Sequence, residues 1–162
     1  MALTARQKES CDNPPADYAD LRACFINTTL KMSPDQSHTE TLMRMSMAIM
    51  ERNGIAVDYL RAADHEIAFG VQPDMREHGA ARDDWPDRLW PKVRNADILV
   101  LGTPIRLGEE SSVCRVVIER LYAHSGEIND NGQFIYYGKT AGCVVTGNED
   151  GIKHVAMSVL YA

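Results

Sequence analysis

The stretch LRACFINTTLKMSPDQSHTE, residues 21–40, passes from strand formers into a turn crowded with hydroxyls, one lysine and one proline, and then into a helix start. Residues Arg22 to Thr28 read as a short strand. Ser37, with Glu40 three residues on, has the form of a capping box that opens a helix. In that helix Leu42, Met43, Met47, Ile49 and Met50 fall near a 3.6-residue period, and Asn53-Gly54 supplies the stop. The methionine-rich face reads as core packing rather than a partner surface.

Working outward, strands and helices alternate. GIAVDYLRA, residues 54–62, is a second strand with Ile55, Val57 and Tyr59 on one side. A long polar stretch, 62–83, precedes DWPDRLWPKVRNA, where Trp85, Leu89 and Val93 recur every fourth residue. Pro91 conflicts with an unbroken helix there, because an interior proline costs about 3 kcal/mol, so a kink or break is expected. DILVLGTP, residues 97–104, is an unbroken apolar run between turn signals, the pattern of a central parallel strand buried on both faces. SSVCRVVIERLY returns to helical spacing through Val113, Val117 and Leu121. NDNG reads as a tight turn, and TAGCVVTG as the fourth strand. This β-α-β-α-β-α-β order predicts a doubly wound α/β fold, a parallel sheet with helices on both faces. Residues 1–20 are polar, contain NPP and show no periodicity, so they read as a flexible leader before a domain spanning 21–162.

Composition narrows the function classes. With 162 residues, 44% hydrophobic and 25% charged, the chain has the length and mix of one globular domain. A net charge of −6 argues against nucleic acid as a partner. No apolar run has the length of a membrane span, and the N-terminus lacks the apolar centre of a signal peptide, which makes the cytoplasm the default location. Cys11, Cys24, Cys114 and Cys143 form no CxxC pair and read as reduced packing residues. No His or Cys pair has metal-ligand spacing, so no metal is expected.

In a doubly wound sheet ligands bind beyond the carboxyl ends of the strands. Three loops fall there: 27–39, 103–112 and 146–151. The first crowds hydroxyls and Lys31 against a helix N-terminus, where free amides and the helix dipole favour an anion such as a phosphate. The same residues would also serve merely to cap a helix and close a turn. Neither GxGxxG nor GxxxxGK[ST] follows this strand, which disfavours a usual dinucleotide fold and a P-loop. GTPIRLGEESS and TGNEDG, the other loops, carry glycines that let main chain approach a flat ligand. Together the loops describe a monophosphate pocket beside a slot for a planar heteroaromatic ring.

In the order of TTLKMSPDQSHT, GTPIRLGEESSV and VVTGNEDG, the chain resembles flavodoxin-like proteins of the NADPH-dependent FMN reductase family over residues 21–162. The resemblance implies a flavodoxin-like three-layer α/β/α sandwich with strand order 2-1-3-4-(5). A fifth strand and last helix would be missing, since the chain stops at HVAMSVLYA within what should be helix four. It implies that Thr29, Lys31, Ser37, His38 and Thr39 meet the phosphate of FMN. Thr103, Pro104, Ile105, Arg106, Leu107 and Gly108 would line one side of the isoalloxazine, and Thr146, Gly147, Asn148, Glu149 and Gly151 the other. Relatives often carry an aromatic residue at the position of Arg106.

The implied activity is an FMN-dependent oxidoreductase, in which NADPH or NADH passes hydride to flavin N5 and a small acceptor such as a quinone is reduced. The flavin carries the redox chemistry, so no catalytic side chain is required, and His124, His154 and Glu149 read as surface residues rather than protonic helpers. A homodimer or higher homo-oligomer is implied as well. A flavodoxin-like electron carrier or binding module without its own substrate is the alternative, and an incomplete paralogue that binds nothing is a third reading. The mild acidity argues for the enzyme over the carrier.

Overall fold

The computed structural model describes residues 3–162, and all but the first two residues of the expected leader fall within it. Its strands are β1 (Arg22–Asn27), β2 (Ala56–Arg61), β3 (Ile98–Arg106), β4 (Glu109–Glu110) and β5 (Thr140–Thr146). Its α-helices are α1 (Ala5–Asp12), α2 (His38–Arg52), α3 (Trp90–Arg94), α4 (Ser112–Tyr122) and α5 (Ile152–Tyr161). The parallel strands run in the order β2-β1-β3-β5, the flavodoxin-like order expected for the first four.

Each central strand divides its side chains between two layers, as the alternation of Cβ directions requires. On β1, Ala23 and Phe25 pack with Met43, Met47 and Val100 against α2. Cys24 and Ile26 face the opposite layer, with Trp85, Leu89, Val93, Val117 and Val155. Met43 and Met47 of α2 are therefore core, with Met50 packed against them, as expected of the methionine-rich face. α2 lies so close to β3 that a Cβ on Gly102 would fall 2.2 Å from the Met43 sulfur.

Pro91 has the effect foreseen. Trp85–Leu89 forms a π-helical turn, with the Trp90 amide bonded to the Trp85 carbonyl, and α3 then starts with Pro91 in its first turn. The wide turn removes the need for a proline N–H inside a continuous helix and keeps Trp85, Leu89, Trp90 and Val93 buried.

Three expectations are corrected. Ala5–Asp12 of the supposed leader is helical: Thr4 and Gln7 form a reciprocal capping box, Cys11 is buried, and Asp12 pairs with Arg52. The third strand runs on to Arg106 and turns back through Leu107 (φ 53°) and Gly108 (φ 83°) into β4, so the second loop is a two-residue hairpin. His124 is not a surface residue but 2% exposed, stacked on Trp90 at 3.6 Å between ring centres. Cys24 and Cys114 are buried, and burial pushes their thiols up to about 12 and about 11, consistent with a packing role.

Candidate flavin-phosphate site

The site begins where β1 and β3 part. Their ladder ends at Asn27 and Gly102, and Thr28 closes it by donating both its amide (2.7 Å) and its hydroxyl (2.8 Å) to the Gly102 carbonyl. Ser111, the N-cap of α4, donates to the Thr28 carbonyl at 2.6 Å. Beyond this junction the chain splays into the crevice typical of a switch in strand order.

The first loop leaves the junction already shaped. Asn27 accepts from the Thr29 amide at 3.1 Å and donates to Tyr59 Oη at 3.0 Å, and Lys31 Nζ donates to the Gln36 carbonyl at 3.0 Å. Ser37 caps α2 through the Glu40 amide at 3.2 Å. The reciprocal half of the expected capping box is absent. The Glu40 carboxylate turns instead to Arg44 and Arg61. Because α2 begins at His38, the amides of His38 and Thr39 have no preceding turn to bond. They stand at the positive end of the helix.

These groups share one pocket of about 580 Å³. From the first loop Thr29, Lys31, Ser37, His38 and Thr39 line it, all the residues there that the resemblance pointed to. Pro104 and Arg106 line it from β3, and Thr146, Gly147 and Asn148 from the end of β5. The Arg106 guanidinium folds back to donate to the Ile105 carbonyl at 2.8 Å.

The other candidates lie elsewhere. Thr103 is buried and accepts from the Ser111 amide at 3.0 Å, and Ile105 belongs to the core. Leu107 is 96% exposed at the hairpin tip, beside Gly108. Glu149 is exposed and does not line the pocket. Gly151 (φ 115°) abuts the hairpin so closely that a Cβ there would lie 2.7 Å from the Gly108 carbonyl oxygen. Ile105, Gly108 and Gly151 thus set the shape of the two loops rather than face the pocket. Alternation along β3 could have found this, since Pro104 and Arg106 point one way and Thr103 and Ile105 sit in the core.

A phosphorylated flavin fits this chemistry. Hydroxyls, an ammonium and unbonded amides gather at one end, and at the other Gly147 lets the third loop lie against Ile105, where a Cβ would come within 2.9 Å. Among the described residues no group of three or more His, Cys, Asp or Glu side chains is placed to hold a metal ion. None of the described helices is long and apolar enough to cross a membrane.

The chain is similar to the 8-demethyl-8-aminoriboflavin-5'-phosphate synthase of Streptomyces davaonensis, 39% identical over 145 residues that make up 86% of this chain and 56% of that protein. It is also 54% identical over 160 residues to a protein of Mycobacterium bovis named divalent metal cation transporter MntH, a match covering 99% of this chain but 23% of that protein. The chain thus spans about half or less of the curated relatives it matches.

Among solved structures, RosB with the bound intermediate 8-demethyl-8-formylriboflavin-5'-phosphate superposes with a TM-score of 0.75 at 39% identity, over 87% of this chain and 57% of that one. An azoreductase from Bacillus anthracis str. Sterne shares the fold at 15% identity, with a TM-score of 0.56 over 87% of this chain and 77% of its own. The sequence model of the NADPH-dependent FMN reductase family matches residues 29–160, from the first loop to the end of α5. The chain belongs to the NADPH-dependent FMN reductase family.

Proposed function

We propose that this chain carries the flavin site of an NAD(P)H-dependent oxidoreductase and holds FMN by its 5'-phosphate. The observation that carries the reading is the convergence of Thr29, Lys31, Ser37, His38 and Thr39 on one pocket with Arg106 and Asn148. When bound, FMN supplies hydride acceptance and delivery, with a small molecule such as a quinone or a second flavin as the final acceptor. The chain's own residues bind and orient. The first loop neutralises the phosphate, and the amides of the third loop offer donors to a ring edge. Arg106 brings a guanidinium near the ring, and its positive charge favours an anionic reduced flavin.

A second reading is favoured by one observation: the RosB structure, 39% identical, holds a flavin 5'-phosphate altered at ring position 8. In that reading the phosphorylated flavin is the substrate rather than a resident cofactor. Two incubations separate the readings: FMN with NADPH under nitrogen, read by bleaching, and FMN in air with an amino donor, read by the mass of the recovered flavin. The second takes air and the donor because altering the methyl group at ring position 8 needs an oxidant and, for an amine, a nitrogen source. Bleaching with FMN recovered unchanged supports the reductase, and a changed mass supports the second reading. Neither bleaching nor change would contradict both.

A further inference from the structure

Arg61, the last residue of β2, belongs to no motif and does not line the pocket, yet it supports the loop that does. Its side chain is 5% exposed and lies beneath residues 31–40. Nη1 donates to the Asp35 carbonyl at 2.8 Å and reaches the Lys31 carbonyl at 3.5 Å, while Nη2 donates to Glu40 Oε2. Arg44 takes Oε1 of the same carboxylate. Burial opposes ionisation of Glu40, but the bonds from Arg61 and Arg44 outweigh it and hold the carboxyl below the usual range. Glu40 is therefore a tied anion in the first turn of α2, beside the amides that would receive a phosphate.

Two consequences follow from the chemistry of the guanidinium. Its planar fork satisfies acceptors in different directions at once, which an ammonium on a flexible stem does not. Its permanent charge cancels a carboxylate that would otherwise repel an anion at the same helix end.

We propose that Arg61 is a positioning residue for phosphorylated ligands: it clamps the first loop through the Lys31 and Asp35 carbonyls and neutralises Glu40 next to the anion site. The role in ligand choice rests on the reading of the pocket as a flavin-phosphate site. The clamping does not.

The test uses the chain as it stands, with Arg61→Met and the double variant Arg61→Met/Glu40→Gln. Amide hydrogen exchange without ligand reads the clamp, and titration with FMN and riboflavin reads the ligand choice. Arg61→Met should speed exchange across residues 31–36 and lower FMN affinity by roughly tenfold or more, with riboflavin changed by about twofold or less, since only FMN has the charged group at stake. Glu40→Gln in that background should recover part of the FMN loss, because a neutral amide no longer repels the phosphate.

Unchanged exchange over 31–36 overturns the proposal whether or not FMN binds. Equal losses for FMN and riboflavin, or no recovery in the double variant, overturn the positioning role. If the unaltered chain binds no FMN while exchange responds as expected, the flavin reading fails and the clamp stands. Should Arg61→Met not fold, Arg61→Lys keeps a charge against Glu40 but loses the fork; it too must loosen 31–36, and a protected loop overturns the clamp.

Discussion

The hydroxyls of Thr39 and Thr146 lie 2.7 Å apart, joining the first turn of α2 to the end of β5 at the wall of the pocket. Residues more than a hundred positions apart in sequence are thereby tied, one from the first loop and one from the start of the third. Thr146→Val keeps the volume and removes the bond. It should lower stability by about 1 kcal/mol in urea titration, the usual worth of such a bond. No change would mean that the two loops are held independently.

Gly147→Ala should cost more. The added Cβ would sit 2.9 Å from Ile105 Cβ, and Ile105 is 2% exposed and fixed in β3. Overpacking of this kind costs about 1–3 kcal/mol, and here the third loop should be displaced from the pocket as well. Denaturant unfolding together with flavin titration checks both effects.

The segment between β2 and the π-helical turn hangs on a buried ion pair. Arg120 donates to Asp83 at 2.7 Å, with both side chains fully buried. Asp83 also accepts from the amides of Ala68, Met75 and Trp85, and Arg120 donates to the Pro73 carbonyl. Arg120→Met leaves an uncompensated carboxylate in the core and should destabilise by about 3–5 kcal/mol. Adding Asp83→Asn should recover part of that loss.

His124 gives a pH dependence of definite sign. Trp85 Nε1 donates to His124 Nε2 at 2.9 Å, so the ring is the neutral form that carries its proton on Nδ1 and donates it to Glu127. Burial holds the imidazole below its ordinary value of 6.5, against the opposing pull of Glu127. As pH falls below that value the unfolded chain takes up the proton first. The contribution is therefore complete above about pH 6.5 and is lost as pH falls through the lower folded value. Wild type should lose more stability between pH 7 and pH 5 than His124→Asn in parallel urea titrations; equal slopes would contradict the assignment.

The parallel sheet with helices on both faces and the break near Pro91 were legible because each rests on local chemistry or on the period of apolar residues, whereas the strand order came from the family resemblance. The first-loop residues that line the pocket were named through the family resemblance, since hydroxyls before a helix start serve equally to cap the helix and close a turn. Legibility ended where tertiary partners decide. α1 is too polar for a periodic signal, and its burial of Cys11 against neighbouring elements cannot be read locally. The hairpin through Leu107 was hidden because a leucine with positive φ is disfavoured, so RLGE resembles a ligand loop more than a tight turn. Arg61 and Arg120 were missed for the same reason as His124. Charged or titratable side chains are usually at the surface, and their partners lie 21, 37 and 39 residues away in sequence.

The most direct test of the flavin-phosphate reading is the ratio of FMN to riboflavin affinity, measured by flavin fluorescence for the unaltered chain and for Ser37→Ala/Thr39→Ala. The double change also removes a helix cap worth about 1 kcal/mol of stability, which is why the ratio and not either affinity alone is compared. Charge-assisted bonds to the phosphate predict that FMN binds tighter than riboflavin by roughly tenfold or more, and that the double variant shrinks this ratio. Equal affinities in the unaltered chain, or a ratio that survives the double substitution, would contradict the account.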